Sequence, residues 1–387
     1  MSLIVLSAID WKRMKKIKLV EFIGRIQDGG AETLVKDYAL MLDKEKFDVT
    51  ILCEDYKKES NVYKTLIKNK VKIISLYEPS FFVNKVITRL IGKRHVARLF
   101  KETLKELKPD IIHAHLELLE VLYYARESLT GIKLFFTCHN PPEKLIGDER
   151  PAERDACRYL LDHNNLHIIA LHEDMAKEIE EMLDIKGVSV IRNGIDLDRF
   201  RSVPISKEEK RKELAIPSDA YVVGQVGRFT YQKNPEFTVL AFNELLKKNH
   251  NAYLLLVGRG KQESELRKQV KELNIEDKVK ILVSREDIPE LLKAMDVFIL
   301  PSRFEGFGIV LVEAQASGLP CVVSENVPSQ VYLSNRVNRL NLNDPLQKWA
   351  DVLSDPKGNV IPCGNLEDYD MKKEIRNLEQ VYLKDVI

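Results

Sequence analysis

The sequence predicts an α/β fold made of two doubly wound domains, each with a mainly parallel sheet between layers of helices. Short runs that are apolar on both faces alternate with segments of helical spacing, which is typical of such sheets. The alternation occurs as two series, separated by a polar stretch. The chain has 387 residues, whereas one domain usually has roughly 100 to 200. Two domains are therefore expected.

The first series predicts the strands of an N-terminal domain over residues 14–200. The runs are short and rich in β-branched residues, and helical segments such as 31–42 and 173–183 separate most of them. The predicted strands are KIKLVEFIG, FDVTILCE, VKIISLY, DIIHAHL, KLFFTCHN, LHIIALH and VSVIRNGID.

A connector and a second domain follow. Residues 197–220 are polar and contain Pro204, Pro217 and the charged run SKEEKRKEL, which suits a connector. The second domain is predicted over residues 217–365. Its predicted strands are AYVVGQVGRF, NAYLLLVGRG, KVKILVS, DVFILPS and LPCVVSE. After Ser329 two helical segments are expected, DPLQKWADVLSD and a C-terminal helix over 366–387 that is long enough to lie back across the first domain.

Composition excludes several classes of protein. With 60 Lys and Arg against 59 Asp and Glu, the formal charge is +1, which argues against a nucleic-acid partner. The five cysteines form no C-x-x-C pair, so neither a disulfide framework nor a zinc site is indicated, and a reducing cytoplasm fits. No apolar run approaches the roughly 18 to 20 residues of a membrane span. The apolar start is a weak signal-peptide candidate, and the sequence leaves open whether Met1 or Met14 is the true start.

The stretch RFEGFGIVLVEAQASG follows the predicted strand VFILPS and has the properties of a phosphate site. Gly306 and Gly308 permit a turn, and a helix is expected to begin directly after them and to end near Gly318. Amides at such a helix start attract phosphate. Glu305 and Glu313 flank these amides, where they would suit neutral sugar hydroxyl groups.

The stretch GQVGRFTYQKNP places two cations beside a second predicted helix start. Arg228 follows a strand, Lys233 lies five residues later, Asn234 is a helix-cap residue and Pro235 suits the first helical position. This arrangement favours a diphosphate. Fixed cations would also stabilise the negative charge that grows on a departing diphosphate, so a metal ion would be unnecessary.

Together these motifs resemble those of glycosyltransferase family 4, whose members are retaining enzymes of the GT-B fold. The segment around Glu305 and Glu313 is similar to the E-x7-E motif of that family, and residues 291–323 match its signature. The resemblance implies two Rossmann-like domains that face each other across a cleft. It also implies that Glu305 contacts hydroxyls of the transferred sugar, that Glu313 binds the ribose, and that the backbone of Gly306, Phe307, Gly308, Ile309 and Val310 meets the phosphates.

The same resemblance implies further donor-site residues. Gly29 and Gly30 would let substrate approach the backbone, and Asn193, with Gly194, would line the cleft. Backbone around Ser284 and Arg285 would recognise the nucleobase. The resemblance also implies that His139, at the end of a strand, approaches the 6-position of the donor sugar and the reaction centre. The predicted catalytic residues are therefore His139, Arg228, Lys233 and Glu305.

Some patterns permit other interpretations. His113 and His115 lie on one face of a strand, as metal ligands can, but no third ligand is suggested by local spacing, so core and cleft-wall roles are preferred. The D-x-D string at Asp196 and Asp198 is interpreted as coincidental. Residues 83–108 form a basic amphipathic segment, which is either an ordinary surface helix or a contact with anionic lipid.

The sequence thus predicts a retaining, metal-independent hexosyltransferase without a cofactor. The expected donor is a nucleotide-sugar, most simply a UDP-sugar, and the expected acceptor is a glycan or a lipid-linked glycan in the synthesis of surface polysaccharide. Its expected location is cytoplasmic or peripheral on the inner face of the membrane. Two alternatives remain, a UDP-sugar 2-epimerase of the same architecture and a non-catalytic protein that binds nucleotide-sugars. The segment ENVPSQVYLSN lacks the glycine pair found in many relatives.

Overall fold

The computed structural model describes residues 15–78 and 81–384. The N-terminal apolar stretch and Met14, on which the signal-peptide and start-site interpretations depend, lie outside the described residues. Contacts divide the chain into two compact units. Unit 1 comprises Met1–Asn193 and Glu374–Ile387, and unit 2 comprises Gly194–Lys373.

Unit 1 contains a seven-stranded parallel sheet in the order β3-β2-β1-β4-β5-β6-β7. Each strand coincides with one of the apolar runs of the first series. The strands are β1 (Ile17–Ile26), β2 (Phe47–Tyr56), β3 (Lys72–Ser75), β4 (Ile111–His115), β5 (Lys133–Thr137), β6 (His167–Ala170) and β7 (Ser189–Val190).

Helices connect these strands and cover the sheet, as parallel pairing requires. They are α1 (Gly30–Met41), α2 (Asn61–Lys68), α3 (Phe81–Ile91), α4 (Lys93–Leu107), α5 (Leu119–Ala125), α6 (Pro142–Ile146), α7 (Pro151–Asn164) and α8 (Glu173–Leu183). The central strand β1 is buried along most of its length, and Phe22 on this strand stacks on Phe100 of α4 with ring centroids 4.6 Å apart. A buried glutamate, Glu21, interrupts this apolar strand.

Unit 2 contains a six-stranded parallel sheet in the order β10-β9-β8-β11-β12-β13. Its strands are β8 (Tyr221–Val226), β9 (Ala252–Val257), β10 (Val279–Leu282), β11 (Val297–Leu300), β12 (Cys321–Ser324) and β13 (Val337–Leu340). The last strand was not predicted, because Asn338 and Arg339 interrupt the apolar pattern of this four-residue run.

Two apolar cores lie on the two faces of this sheet. On β11, Val297 and Ile299 belong to one core, whereas Phe298 and Leu300 belong to the other, as the alternation of side chains along a strand requires. The covering helices are α9 (Leu197–Arg201), α10 (Lys207–Glu213), α11 (Pro235–Leu246), α12 (Glu263–Glu272), α13 (Ile288–Lys293), α14 (Ile309–Ala316) and α15 (Leu346–Ser354).

The predicted connector is wrong in one respect, because most of it is folded into unit 2. Leu197, Phe200 and Ile216 are buried in the core of that unit, and α9 and α10 form within the stretch. A capping box between Ser206 and Glu209 begins α10. The division between the units accordingly falls at Asn193 and Gly194, before residue 200. The sequence did not reveal that this segment belongs to unit 2, because most of its residues are polar and only a few large apolar side chains pack into the core.

The C-terminal segment forms two elements where one helix was predicted. A short 3-10 helix, Leu366–Tyr369, ends before α16 (Met371–Leu383). Tyr382 on α16 is fully buried and packs edge-on against Phe47 and Phe135 of unit 1. The helix therefore supplies side chains to the sheet of unit 1 although it lies at the far end of the sequence.

The basic segment 83–108 is also divided between two helices. Gly92 separates α3 from α4 and has a φ of 68°, a left-handed conformation that favours glycine. Helix α4 buries Val96, Phe100 and Leu104 against the sheet, whereas α3 buries none of its side chains. Within the described part of the chain, no helix combines the length and apolar character needed to cross a membrane.

Candidate functional site

Two loops of unit 2 bring the predicted phosphate-binding residues together. Strands β8 and β11 are neighbours, with Val223 opposite Val297. Because the strands are parallel, the loops that follow them leave the same edge of the sheet, where ligands of such folds bind. One loop carries Arg228 and Lys233, and the other carries Glu305.

Lys233 and Glu305 form a nearly buried ion pair between these loops. Lys233 Nζ lies 2.5 Å from Glu305 Oε1, and the exposed fractions of the two side chains are 13% and 5%. The Ser302 hydroxyl donates a further hydrogen bond of 2.6 Å to the same oxygen. The structure therefore joins two of the predicted catalytic residues, which lie 72 positions apart in sequence.

Several polar residues that the sequence interpretation missed hold the two loops together. The Arg303 amide donates to the Gln232 carbonyl at 2.8 Å, and the Gln232 side chain donates to the Phe304 carbonyl at 3.2 Å. The Arg303 guanidinium donates to Asn234 Oδ1 at 2.9 Å. Gln232 lies within the stretch GQVGRFTYQKNP, and Arg303 begins the stretch RFEGFGIVLVEAQASG. Their position inside these two motifs was the signal that could have identified them.

Asn234 occupies the predicted cap position of α11, but its side chain makes no capping hydrogen bond. The backbone is left-handed, with a φ of 53°, and Asn234 Nδ2 donates instead to the Pro301 carbonyl at 3.0 Å. Pro235 takes the first helical position as predicted. The asparagine therefore links the two loops, a role that depends on a contact across the sheet.

Arg228 differs from Lys233 in its surroundings. It is exposed, and its guanidinium lies 3.3 Å from Gln232 Oε1, a weak contact for a charged donor. One cation of this site is thus held by an internal carboxylate while the other faces solvent. An anionic ligand could reach Arg228 without first breaking an ion pair.

The glycine turn after Glu305 has the predicted geometry. Gly308 has a φ of 87° and precedes Ile309, the first residue of α14. Phe307 and Val310 point their side chains into the core of unit 2, and Phe307 packs on Tyr369 with ring centroids 5.5 Å apart. These two residues could therefore meet a ligand only through their backbone groups.

The remaining predicted donor contacts of unit 2 lie on separate elements. Glu313 is half-buried in α14, and Ser284 is exposed with a φ of 55° just after the edge strand β10. The Arg285 side chain is bound to Asp287 through two hydrogen bonds, and Arg285 holds the pKa of that carboxyl below its usual value. Recognition of a base there would fall to the backbone, and the roles of Ser284 and Glu313 stay predictions.

The G-x-G string after β9 packs the loops of this edge. An added Cβ on Gly258 would lie 1.8 Å from the Gly227 carbonyl oxygen, and one on Gly260 would lie 2.1 Å from that of Phe229. These glycines are therefore required for close packing of the backbone beside Arg228.

In unit 1, a buried polar cluster lies near the carboxyl ends of the central strands. Glu21 on β1 faces His113 and His115 on β4, and all three side chains are fully buried. His115 Nε2 lies 2.7 Å from Glu21 Oε2. The Tyr382 hydroxyl lies 2.6 Å from His113 Nδ1 and 3.2 Å from Glu21 Oε1.

His139, the predicted catalytic histidine, is joined directly to this cluster. It follows β5 and is half-buried, and its Nε2 lies 2.9 Å from His115 Nδ1. The interpretation of His113 and His115 as core residues did not foresee this link. A glutamate in the middle of the apolar run LVEFIG was the signal that could have revealed the cluster.

Burial keeps this cluster electrically neutral near neutral pH. It raises the pKa of Glu21 to about 8, against the opposing effect of the Tyr382 hydrogen bond. It lowers the pKa of His115 to about 3, and those of His113 and His139 also fall well below their usual value. A protonated carboxyl and three neutral imidazoles are therefore expected.

One ligand atom from each of Glu21, His113 and His115 lies within 4.8 Å of the others, a spacing that could suit a metal ion. In this structure, however, all four ring nitrogens of the two histidines have hydrogen-bond partners. These partners are Tyr382, Thr137, His139 and Glu21. We therefore interpret the group as a hydrogen-bonded network.

The other predicted residues of unit 1 lie shortly after the ends of strands. Gly29 precedes the first residue of α1, Gly30, and nothing lies within 4 Å of a Cβ added to Gly30. Backbone there is accessible to a ligand. Asn193 is half-buried at the end of the unit.

The D-x-D string has structural partners in unit 2. Asp196 caps α9 by accepting from the Arg199 amide, and Asp198 pairs with Lys372 at 2.6 Å. Both carboxylates thus stabilise the start of α9 and its contact with the C-terminal segment.

Comparison with protein families finds two matches that together cover most of the chain. The family model described as Glycosyltransferase Family 4 matches residues 28–199. The family model described as Glycosyl transferases group 1 matches residues 206–353.

Individual relatives and structures agree with these matches. The chain is 27% identical over 365 residues to the UDP-Gal:alpha-D-GlcNAc-diphosphoundecaprenol alpha-1,3-galactosyltransferase of Escherichia coli, covering 90% of this chain and 92% of the relative. It is 30% identical over 264 residues to the D-inositol 3-phosphate glycosyltransferase of Corynebacterium jeikeium, covering 63% of each. The crystal structure of Anabaena Alr3699/HepE in complex with UDP-glucose superposes with a TM-score of 0.72 at 19% identity, covering 95% of this chain and 100% of that chain.

Proposed function

The chain belongs to the group 1, family 4 glycosyltransferases of the GT-B fold, and we propose that it transfers a hexose from a UDP-sugar to a glycan or lipid-linked acceptor. Transfer proceeds with retention and without a metal ion. Unit 2 binds the donor, unit 1 binds the acceptor, and His139 is one of the catalytic residues.

The ion pair between Lys233 and Glu305 carries this proposal. The pair joins a cation to a carboxylate, for which we propose contact with the sugar, on adjacent loops beside the start of α14, and Arg228 is on the same loop as Lys233. When a sugar leaves UDP, negative charge grows on the diphosphate oxygens. The cations Arg228 and Lys233 and the amides at the start of α14 stabilise that charge, and this differential stabilisation accelerates the reaction.

Glu305 acts on the sugar through hydrogen bonds. Its Oε1 already accepts hydrogen bonds from Lys233 and Ser302. These bonds make the carboxylate a poorer nucleophile, so a role in orienting hydroxyl groups of the sugar fits Glu305 better than attack on the sugar carbon. With no side chain assigned as nucleophile, the departing phosphate accepts the proton of the acceptor hydroxyl on the face that the nucleotide leaves. Glu313 binds the ribose diol.

A lipid-linked acceptor is supported by the exposed surface of α3. We name the exposed side chains of this helix the α3 surface. Its exposed apolar members are Phe81, Phe82, Val83, Val86, Leu90 and Ile91. Six exposed apolar side chains on one helix of 11 residues exceed the scattered single residues of an ordinary surface, and apolar surface of this kind marks interaction sites in soluble proteins.

Cations accompany this surface. Lys85 lies over the Phe81 ring at 5.1 Å, and Arg89 lies in the last turn of the helix. Apolar side chains with interspersed cations match an anionic bilayer surface. We propose that the α3 surface holds the enzyme peripherally on the inner face of the cytoplasmic membrane, where a lipid-linked acceptor would be presented.

The function is tested by a screen of nucleotide-sugars for thermal stabilisation, followed by assays of nucleoside diphosphate release with candidate acceptors. A UDP-sugar is expected to stabilise the protein, and UDP release is expected to require the acceptor. Epimerised donor or free sugar formed without an acceptor would favour an epimerase instead. Absence of affinity for every UDP, GDP and ADP species would overturn the proposal.

A further inference from the structure

A continuous chain of hydrogen bonds leads from the core of unit 1 to His139. We name it the histidine chain. It contains five hydrogen bonds of 2.6 to 3.2 Å, and its members come from β1, β4, β5, the loop after β5 and α16. In order, the groups are Thr137, His113, Tyr382, Glu21, His115 and His139.

The donors in this chain point in one direction if every buried proton is to have an acceptor. A neutral imidazole has one donor and one acceptor nitrogen, and a protonated carboxyl likewise has one donor and one acceptor oxygen. If one group donates to its neighbour, that neighbour must donate onward through its other polar atom. The direction of donation at one end of the histidine chain therefore determines which atom carries the proton in every group along it.

The buried end selects the direction. Among the described residues, the Thr137 hydroxyl has His113 Nε2 as its hydrogen-bond partner at 2.7 Å. If this buried hydroxyl accepted there, its own proton would have no acceptor, so donation to His113 Nε2 is the favoured direction. His113 Nδ1 then donates to Tyr382, Tyr382 donates to Glu21 Oε1, and the other carboxyl oxygen donates to His115 Nε2. His115 Nδ1 finally donates to His139 Nε2.

We propose that Glu21 and His115 are positioning residues that hold His139 as a neutral imidazole with its proton on Nδ1. The inference rests on the proposed function, in which His139 is a catalytic residue. A proton fixed on Nδ1 makes that nitrogen a hydrogen-bond donor. It also fixes the ring plane, because the opposite nitrogen must accept from His115.

The charge of Glu21 controls this arrangement. In the part of the chain that the structure describes, the titratable groups that face Glu21 are His113 and His115 from β4, Tyr382 from α16 and Tyr38 from α1. When Glu21 ionises, it becomes an acceptor only, and His115 Nε2 must donate to it. His115 Nδ1 then accepts from His139 Nε2.

Protons balance in this change. Glu21 passes its proton to His115 Nε2, His115 passes one from Nδ1 to His139 Nε2, and His139 loses one from Nδ1 to solvent. Ionisation of the Glu21 carboxyl therefore changes the tautomer of His139, and the histidine chain loses one proton in total.

The test is NMR of the full-length protein labelled with 15N-histidine. Long-range 1H–15N correlations distinguish the two tautomers of each histidine, and a His139→Gln variant assigns the signals. We expect the Nδ1–H tautomer of His139 at pH about 6 and the Nε2–H tautomer at pH about 10, on either side of the raised pKa of Glu21. His163, an exposed histidine of α7, is the internal control and should show no linked change.

Two substitutions distinguish a role of Glu21 in positioning His139 from a purely structural role of Glu21. Glu21→Gln keeps an amide that donates to His115 and a carbonyl that accepts from Tyr382, but it cannot ionise. It should hold the Nδ1–H tautomer over the whole pH range and keep turnover near the wild-type value at neutral pH. Glu21→Met has a similar length but no donor, so the fixed tautomer should be lost. Its kcat should fall about 10- to 100-fold, the range observed when the partners of metal-bound histidines are removed.

Several results would overturn the proposal. These are an Nε2–H tautomer of His139 in the wild type at neutral pH, an unchanged tautomer up to pH about 10, or a pH-dependent change that persists in Glu21→Gln. A stoichiometric metal ion that is lost in Glu21→Gln would also overturn it. The wild-type titration needs no variant, so a folding defect in Glu21→Met would not prevent a decision.

The measurement of the tautomer does not depend on the proposed function. The tautomer is measured without substrate, and the donor assays on unit 2 do not depend on Glu21. Failure of the UDP-sugar screen with the expected tautomer would contradict the transferase proposal alone, whereas donor binding with the wrong tautomer would contradict the role of Glu21 and His115.

Discussion

Lys233 Nζ lies 2.5 Å from Glu305 Oε1, and each of these nearly buried groups is the counterion of the other. Removing either partner leaves a charge with little access to water, which is more costly than removing both. The pair is therefore expected to influence stability and catalysis in different ways, and the two effects can be separated.

Lys233→Ala and Glu305→Gln should each reduce turnover by roughly one to three orders of magnitude, the scale of losing one group that stabilises the transition state. Lys233→Ala should also lower Tm, because Glu305 loses its counterion. In the double variant, Tm should recover while turnover stays low. Steady-state assays and thermal unfolding measure the two effects. Turnover near wild type in both single variants would contradict this site.

Arg228→Ala should weaken UDP binding with little effect on stability. A hydrogen bond to a charged group contributes about 1.5 to 3 kcal/mol, so Kd should rise by roughly 10- to 100-fold. Because Arg228 is exposed, the free energy of unfolding should change by less than about 0.5 kcal/mol. Calorimetry provides the Kd. The control is Arg267→Ala on α12, an exposed arginine paired with Glu263, and equal Kd values for the two variants would disprove a role for Arg228.

Glu21 should make the protein less stable as the pH rises. Its pKa is raised from 4.5 to about 8 in the folded state, so the folded protein binds a proton that the unfolded chain releases. Its contribution to stability is present in full below pH 4.5 and is lost as the pH rises to about 8. The loss approaches about 1.4 kcal/mol per pH unit within this window.

The matched measurement is urea unfolding of wild type and Glu21→Gln at a series of pH values. The difference between their free energies of unfolding should change across this window and stay constant above it. Taking the difference removes the opposing effect of the buried histidines, which destabilise the fold at acidic pH. A difference that is independent of pH would show that Glu21 ionises normally in the fold.

The α3 surface should bind anionic vesicles through its exposed apolar residues. Phe82→Ser combined with Leu90→Ser removes side chains that are 79% and 77% exposed, so flotation with anionic liposomes should be lost while Tm is retained. The control is Ile361→Ser in unit 2, which is 87% exposed and lies far from α3 in sequence. Wild-type protein that does not float, or that floats equally well with neutral lipid, would contradict the proposed membrane contact.

The elements of the fold that depend on local pattern could be predicted. The strands β1 and β11 are short apolar runs with both faces buried, and the turn at Gly308 follows from a glycine before an apolar helix. Strand β13 could not be predicted, because Asn338 and Arg339 make its local pattern polar. It becomes a strand by pairing with β12, and this pairing is a tertiary contact that the local sequence does not show. Leu197 and Phe200 were likewise concealed within a polar segment.

The sequence alone therefore determined the two parallel-sheet domains and the residue types of the predicted phosphate site, since strand periodicity, glycine turns and helix starts are local properties. Only the tertiary structure decided which of these residues meet. Parallel pairing of β8 with β11 joins Lys233 to Glu305. Packing of α16 on the first sheet brings Tyr382 to Glu21, 361 positions away in sequence. The physical reason is that adjacent strands in a parallel sheet are joined by long connections, so the side chains at one sheet edge come from distant parts of the chain.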